Sequence, residues 1–376
     1  MSRTEKEREF YFSFAYCDIF GVKRIIEIQE KFGSLEKAWL ADKNMWTGLK
    51  NSIIEKFFNY KKSFSYQKTT DYLSESDINF LLFDDTKYPT NLKNISNPPP
   101  IIFYLGDISI AEKQRDYSLA IVGSRLTSTY GEKVLNDLME GLDERFLIIS
   151  GLAFGTDAHA HQKALEMNLK TGAVLGGPLE KNEISCPTSN YWLAKEIVKH
   201  GGFVLTEFPP HSQVQKSNFP RRNRIIAGLS RGTLVIEAGK KSGAIKTAEY
   251  ARDADRVVMA VPGSIFNDLS VGTNSLLKDH VDAVSEPQDI YCYLGIKNIY
   301  KTNKDSEKRI SDIAIKVAGE DGLKIVESLI LLNKIGNTDE ISAICQLDTP
   351  RVHSTLTILE LSGIIKKNGS GQFILS

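Results

Sequence analysis

Between Lys216 and Arg256 the sequence gathers ten basic residues, Lys216, Arg221, Arg222, Arg224, Arg231, Lys240, Lys241, Lys246, Arg252 and Arg256, against four acids, Glu237, Glu249, Asp253 and Asp255. Over all 376 residues, Lys plus Arg and Asp plus Glu balance at 47 each, so the surplus is local and any electrostatic partner must be met there. Its densest part, NFPRRNRIIAGLSRGTLVIEA, sets Phe219 before Pro220 at a helix start and spreads Arg221, Arg222 and Arg224 around the first turn. An aromatic face beside guanidinium groups is what an unpaired nucleic acid strand requires: bases stack on the ring and arginines take the phosphates. Phe219 is equally readable as core, and Asn223 and Arg224 as bridges between loops; Arg222 is expected to face solvent and phosphate.

Other stretches carry related chemistry. AIVGSRLTSTYG places Gly123, Ser124 and Arg125 between a strand and a helix, where backbone N–H groups and a guanidinium can meet an anion. It lacks the GxGxxG spacing, which disfavours a dinucleotide. In SGLAFGTDAHAHQKAL, Ser150, Gly151 and Gly155 could cradle a phosphate and Thr156 could cap a helix. His159 and His161, two apart, fall on different sides of that helix and make a poor metal pair, while Asp157 and His161 are spaced to pair with each other. Glu237, at a strand end, suits either a helix cap or the carboxylate of a nucleotide hydrolase; Ser242, Gly243 and Thr247 repeat the turn-to-helix theme. The four cysteines show no CxxC spacing, which argues against zinc and against a disulfide framework, and fits a reducing cytoplasm. No apolar run approaches the roughly 18 residues of a spanning helix, so a soluble, cytoplasmic protein without a membrane partner is expected.

These residues need a scaffold, and the apolar pattern supplies one. SLAIVGS, FLIISG, TGAVLGG, FVLTEF, TLVIEA and VVMAVPG read as buried strands, separated by segments long enough for crossover helices. The fold class expected is α/β, an extended Rossmann-like doubly wound sheet whose carboxyl edge binds ligand. Before it, residues up to about Phe64 read as helices with Ser34 as a cap, and the prolines Pro89, Pro98, Pro99 and Pro100 mark an extended connector. After it, charged residues around KNIYKTNKDSEKR read as a linker or solvated helix. Three further helices, capped by Thr338 or Asp339 and started at Pro350, and two strands about a Gly-Ser-Gly turn then make a winged helix. The expected division is 1–80 helical, 81–290 Rossmann-like, 291–317 linker and 318–376 winged helix.

Together, IVGSR, SGLAFGTDAHAHQKAL, NFPRRNRIIAGLSRGTLVIEA, SGAIKTAEYA and VVMAVPG, in this order from about Tyr88 to Val284, resemble the DprA/Smf family of DNA-processing proteins of natural transformation. The resemblance implies a cofactor-free, non-catalytic homodimer that binds single-stranded DNA, protects it and helps load the recombinase RecA. Carried onto matching positions, it implies a DNA pocket of Gly123, Ser124, Arg125, Ser150, Gly151, Gly155, Lys216, Asn218, Phe219, Arg222 and Asn223. GTD stands where the family has GID, and LGGPLE with CPTSN is a looser form of its GxGLDxxYPxxN, which leaves the role of that third loop open. A second resemblance, of RGTLVIEA to the GGxGTxxE loop of nucleoside-monophosphate phosphoribohydrolases, would make Glu237 catalytic, although GLS replaces their PGG. A third reading puts DNA on the winged helix, through Arg351, His353, Lys366 and Lys367.

Overall fold

Eleven short strands organise the first of two compact units, Met1–Asn298 and Ile299–Ser376. The structure, a computed structural model, describes residues 4–181, 183–184, 187–297, 304–332, 335–368 and 372–375. In chain order the strands are β1 Asn79–Leu82, β2 Ile101–Gly106, β3 Ser118–Val122, β4 Leu147–Ser150, β5 Lys170–Val174, β6 Leu179–Glu180, β7 Glu183–Ile184, β8 Phe203–Thr206, β9 Gly232–Val235, β10 Val257–Ala260 and β11 Asp282–Ala283. Nine of them form one sheet in the order β1-β2-β8-β5-β4-β3-β9-β10-β11, and β6 and β7 pair as a separate ribbon. From β8 to β11 every neighbour is parallel. All six apolar runs expected to be strands are strands of this parallel part. The proline-rich connector also supplies a structure the pattern hid: β1 and β2 extend the sheet as antiparallel strands.

Alternation along the strands explains the two cores. Leu119, Ile121, Ile148, Leu234 and Met259 point to one face. Ala120, Val122, Leu147, Ile149 and Val235 point to the other. Both faces are covered by helices, as a parallel sheet requires. The chain runs outward from β3 through β4 and β5 to β8, then returns to β9 on the far side of β3 and continues to β10 and β11. The carboxyl ends of β3 and β9 therefore lead in opposite directions and leave a crevice between them, the switch point at which such sheets bind ligands.

The N-terminal helices bury an aromatic cluster. Phe14 lies 5.1 Å from Phe57, 5.6 Å from Trp39 and 6.1 Å from Trp46, centroid to centroid. The same apolar cluster continues to Phe103 of β2 and Val204 of β8. Ser34 caps the helix Leu35–Leu40 by accepting from the Lys37 N–H, as its position suggests.

The second unit joins the segment Lys304–Leu331, helical on either side of a break at Ala318 and Gly319, and the helices Thr338–Cys345 and Thr349–Leu361 to a small antiparallel sheet of β12 Ile335–Gly336, β13 Ile365–Lys367 and β14 Phe373–Leu375, ordered β12-β14-β13. Ile325, Val326, Leu329, Ile341, Val352, Leu356 and Ile365 form its core. The cap of the middle helix is neither Thr338 nor Asp339 but Asn337, which exchanges hydrogen bonds with Glu340 in a capping box. The Gly-Ser-Gly turn, Gly369 to Gly371, lies outside the described residues, as do 298–303 of the expected linker.

Candidate nucleic-acid interface

A cleft of about 1080 Å³ opens at the switch point. The turn after β3 contributes Gly123, Ser124 and Arg125; the helix Asn218–Leu229 and its lead-in contribute Lys216, Phe219, Arg222 and Asn223; the turn after β9 contributes Lys240, Lys241, Ser242 and Gly243. Seven of the eleven residues assigned from the sequence thus line one cavity. Ser150, Gly151, Gly155 and Asn218 do not line it.

The walls are cationic and exposed: Arg125, Lys216, Lys240, Lys241 and Lys246 all reach solvent. The Arg125 guanidinium stands 5.7 Å from the centroid of Phe219. That ring is half-buried, packed so closely on Gly176 that a Cβ there would fall 2.8 Å from its Cδ1. A glycine at 176 therefore seats the phenylalanine, and stem and cation together make a shelf where a flat base and a phosphate could be held. Lys240, Lys241 and Lys246 were not among the residues assigned from the sequence. Their signal was present in EAGKKSGAIK, which follows β9 just as GSR follows β3.

Arg222 departs from expectation. It is 4% exposed, and its Nη1 donates to the carbonyls of Gly151, at 2.5 Å, and Val174. Its Nε donates to Asn223 Oδ1 at 3.1 Å. The reason is that the helix crosses the carboxyl ends of β4 and β5, whose last carbonyls need donors, and a long guanidinium satisfies two at once. Gly151 has the matching role: a Cβ there would fall within 2.5 Å of both Arg222 and Asp157. Ser150 is fully buried, donating to the Ile121 carbonyl at 2.6 Å. These three residues form the floor beneath the cleft. Asn223 ties the basic helix to its neighbour by donating to the Gly243 carbonyl at 3.1 Å.

The opposite side of the same helix is occupied by an ion network. Arg224 Nη2 and Arg221 Nη2 reach the buried Glu207 carboxylate at 2.5 and 2.9 Å, and Arg221 also holds Asp18 at 2.7 Å. Burial pushes the Glu207 carboxyl up and the two arginines draw it back. The structural reading of Arg224 is the one the geometry supports.

The turn carrying Gly155 is pinned to the first turn. Gly155, at φ 70°, precedes the helix Thr156–Glu166, so Thr156 is its first residue rather than its cap. The Thr156 N–H and hydroxyl both donate to the Ser124 carbonyl, at 3.1 and 3.2 Å. A Cβ on Gly155 would lie 2.4 Å from that same oxygen. On the other side Asn190 donates to the carbonyls of Leu152 and Ala153, 3.1 Å each. Asn190, at the end of a run whose role was open, therefore clamps the second turn.

Asp157 and His161 do not pair. His161 Nδ1 lies 2.7 Å from Thr171 Oγ1, which itself donates to the Ile148 carbonyl, so the imidazole donates from Nδ1. Burial, and then the Arg222 charge, lower its pKa to about 3. Among the described residues no group of three His, Cys, Asp or Glu side chains could hold a metal ion. Glu237 is 1% exposed, and its two carboxylate oxygens accept from the N–H of Ser128 at 2.9 Å and its hydroxyl at 2.5 Å. Ser128 is the N-cap of the helix Thr129–Glu140, so Glu237 fixes that helix start.

The model of the DNA recombination-mediator protein A family matches residues 79–295, the sheet and every loop of this cleft. The chain belongs to that family. Among its relatives, Protein Smf of Synechocystis is 33% identical over 288 residues, 75% of this chain and 71% of that one. The DNA processing protein DprA of Bacillus subtilis is 35% identical over 229 residues, 61% and 75% of the two chains. The crystal structure of DprA from Streptococcus pneumoniae superposes with a TM-score of 0.63 at 30% identity, covering 78% of this chain and 98% of that one. DprA of Helicobacter pylori, a protein with a described single-stranded DNA binding mode, shares the fold at a TM-score of 0.51 and 24% identity over 59% of this chain and 97% of its own. Among the described residues no helix is long and apolar enough to cross a membrane.

Proposed function

We propose that this chain binds single-stranded DNA in the switch-point cleft and acts in recombination as a mediator, protecting incoming strands and handing them to RecA. The observation that carries this reading is the cleft's own chemistry: four exposed cations from three separate turns, with Lys246 on the helix Gly243–Asp253, surround a half-buried phenylalanine lying beneath one of them. Cations at this spacing neutralise a phosphate chain, and the ring accepts any base, so binding is strong in low salt and indifferent to sequence. Of the assigned residues, Arg125, Lys216 and Phe219 touch the strand; Gly123 and Ser124 shape its first turn; Arg222, Asn223, Ser150, Gly151, Gly155 and Asn218 hold those turns in place.

The protein works without catalysis or cofactor in this reading. Its rival, a nucleotide hydrolase with Glu237 as the catalytic carboxylate, is disfavoured because both oxygens of Glu237 already hold a helix cap. Regions 1–80 and 318–376 are accessory, the latter a winged helix. Arg351, which would lead a recognition helix there, is held by Asp321 at 2.6 and 2.9 Å, which favours a protein contact over duplex DNA. A cytoplasmic homodimer completes the proposal.

Fluorescence anisotropy with labelled oligo-dT and a duplex of equal length, over a salt series, tests it. Preference for the single strand with a steep salt dependence is expected. Equal or absent binding, or release of free base from nucleoside monophosphates that Glu237→Gln abolishes, would overturn it.

A further inference from the structure

Phe154 sits in the turn SGLAFG between two residues tied to the cleft. Ala153, before it, lines the cavity. Gly155, after it, packs within 2.4 to 2.6 Å of the Ser124 and Arg125 carbonyls when given a Cβ. The side chain between them is 53% exposed. No other aromatic ring among the described residues stacks on it. About half of this large apolar ring faces water, next to a residue that lines a cationic cleft.

The turn that presents it is nonetheless held rigidly. Leu152 adopts φ 55° with no glycine to ease it, and Gly155 adopts φ 70°. A non-glycine residue in the left-handed region is strained and persists where the surroundings impose it. Here they do: Leu152 is fully buried, and the Asn190 amide donates to two backbone carbonyls of the turn. Two left-handed residues flanking Ala153 and Phe154 turn the chain outward, so the exposed ring is presented by an ordered, strained backbone.

Building on the single-strand reading, we propose that Phe154 is a second base-stacking platform, at the outer rim of the cleft, separated from Phe219 by the Arg125 turn. An unpaired base leaving the Phe219 shelf would meet it after the phosphate held by Arg125. Only a strand with free base faces can use it, so this contact adds to the preference for single strands without adding a charge.

The test is anisotropy on wild type, Phe154→Ala and Arg125→Ala with labelled oligo-dT and an abasic strand of the same length. Phe154→Ala is expected to weaken oligo-dT binding roughly fivefold or more, with an unchanged salt slope. On the abasic strand it binds like wild type. In Phe154→Trp the new indole emission is quenched on adding oligo-dT. An unchanged melting temperature for each Phe154 variant confirms that the exposed side chain does not hold the fold. If Arg125→Ala weakens binding while Phe154→Ala does not, or if Phe154→Ala loses as much on the abasic strand, the platform is wrong and the single-strand reading stands. If wild type shows no preference for oligo-dT over duplex, both fall.

Discussion

The helix Asn218–Leu229 carries three arginines within four residues, and the turns after β3 and β9, with Lys216 and Lys246, carry five further cations. The two groups are used in opposite ways, and of the three arginines only Arg222 lines the cleft beside the five cations. Arg222 and Arg224 are nine-tenths buried, with one on strand-end carbonyls and the other on Glu207; Arg221 spans Glu207 and Asp18. Arg125, Lys216, Lys240 and Lys241 have no such commitments to the sheet and face water, as does Lys246, which pairs with the exposed Glu249 at 2.6 Å. Desolvating a guanidinium costs several kcal/mol unless its donors are met, so the arginines nearest the sheet were taken by the fold and the lysines and arginine on outlying turns were left for a ligand. Density of positive charge along a sequence therefore locates a site without saying which charges serve it.

Substitutions separate the two groups, the largest effect falling on the buried one. Arg222→Met removes the donor to two buried carbonyls and should destabilise the protein by about 3 kcal/mol, read as a lower midpoint in urea denaturation. Arg125→Ala, by contrast, should leave that midpoint unchanged. Next in size, Phe219→Ala should weaken oligo-dT binding by about 2 kcal/mol without changing its salt dependence. Arg125→Ala should weaken it about tenfold and reduce the slope of log K against log salt by roughly 0.7, one phosphate contact on a single strand. A midpoint that falls for Arg125→Ala and holds for Arg222→Met would reverse the comparison.

Much of this was legible in the sequence, for identifiable reasons. Six parallel strands announced themselves because strands buried on both faces read as unbroken apolar runs. Seven assigned residues met in one cavity because strand-to-helix turns of a doubly wound sheet converge on one edge. The strands β1 and β2 stayed hidden because Pro89 and Pro98 to Pro100 lie between them, and antiparallel edge pairing is compatible with a proline-rich approach that the helix-breaking rule flags only as a connector. Arg222 was misjudged because helical periodicity fixes a face but not what lies opposite it: the carbonyls of Gly151 and Val174 are 71 and 48 residues away in the chain. Asn190 was invisible as a clamp for the same reason, its partners lying 38 and 37 residues upstream.

The last predicted effect tests the buried side of the comparison through its neighbour. His161 is neutral in the native state with a pKa near 3, depressed first by burial and then by the Arg222 charge; in the unfolded chain it titrates near about 6.5. Above that pH neither state binds the proton and His161 adds no pH dependence. As pH falls below it, the unfolded chain takes up a proton that the native state refuses, so stability drops, by about 1.4 kcal/mol at pH ~5.5 relative to ~7.5. His161→Asn, whose amide can still donate to Thr171, lacks this loss, and the difference in unfolding free energy between the two proteins should open on acidification over that window. NMR titration gives the sharper form. The native imidazole should stay neutral down to the acid limit of the fold, and in Arg222→Met, with one of its two causes removed, its pKa should rise. An imidazole that titrates near 6.5 in the native protein would mean that neither burial nor the Arg222 charge acts on it as the geometry requires.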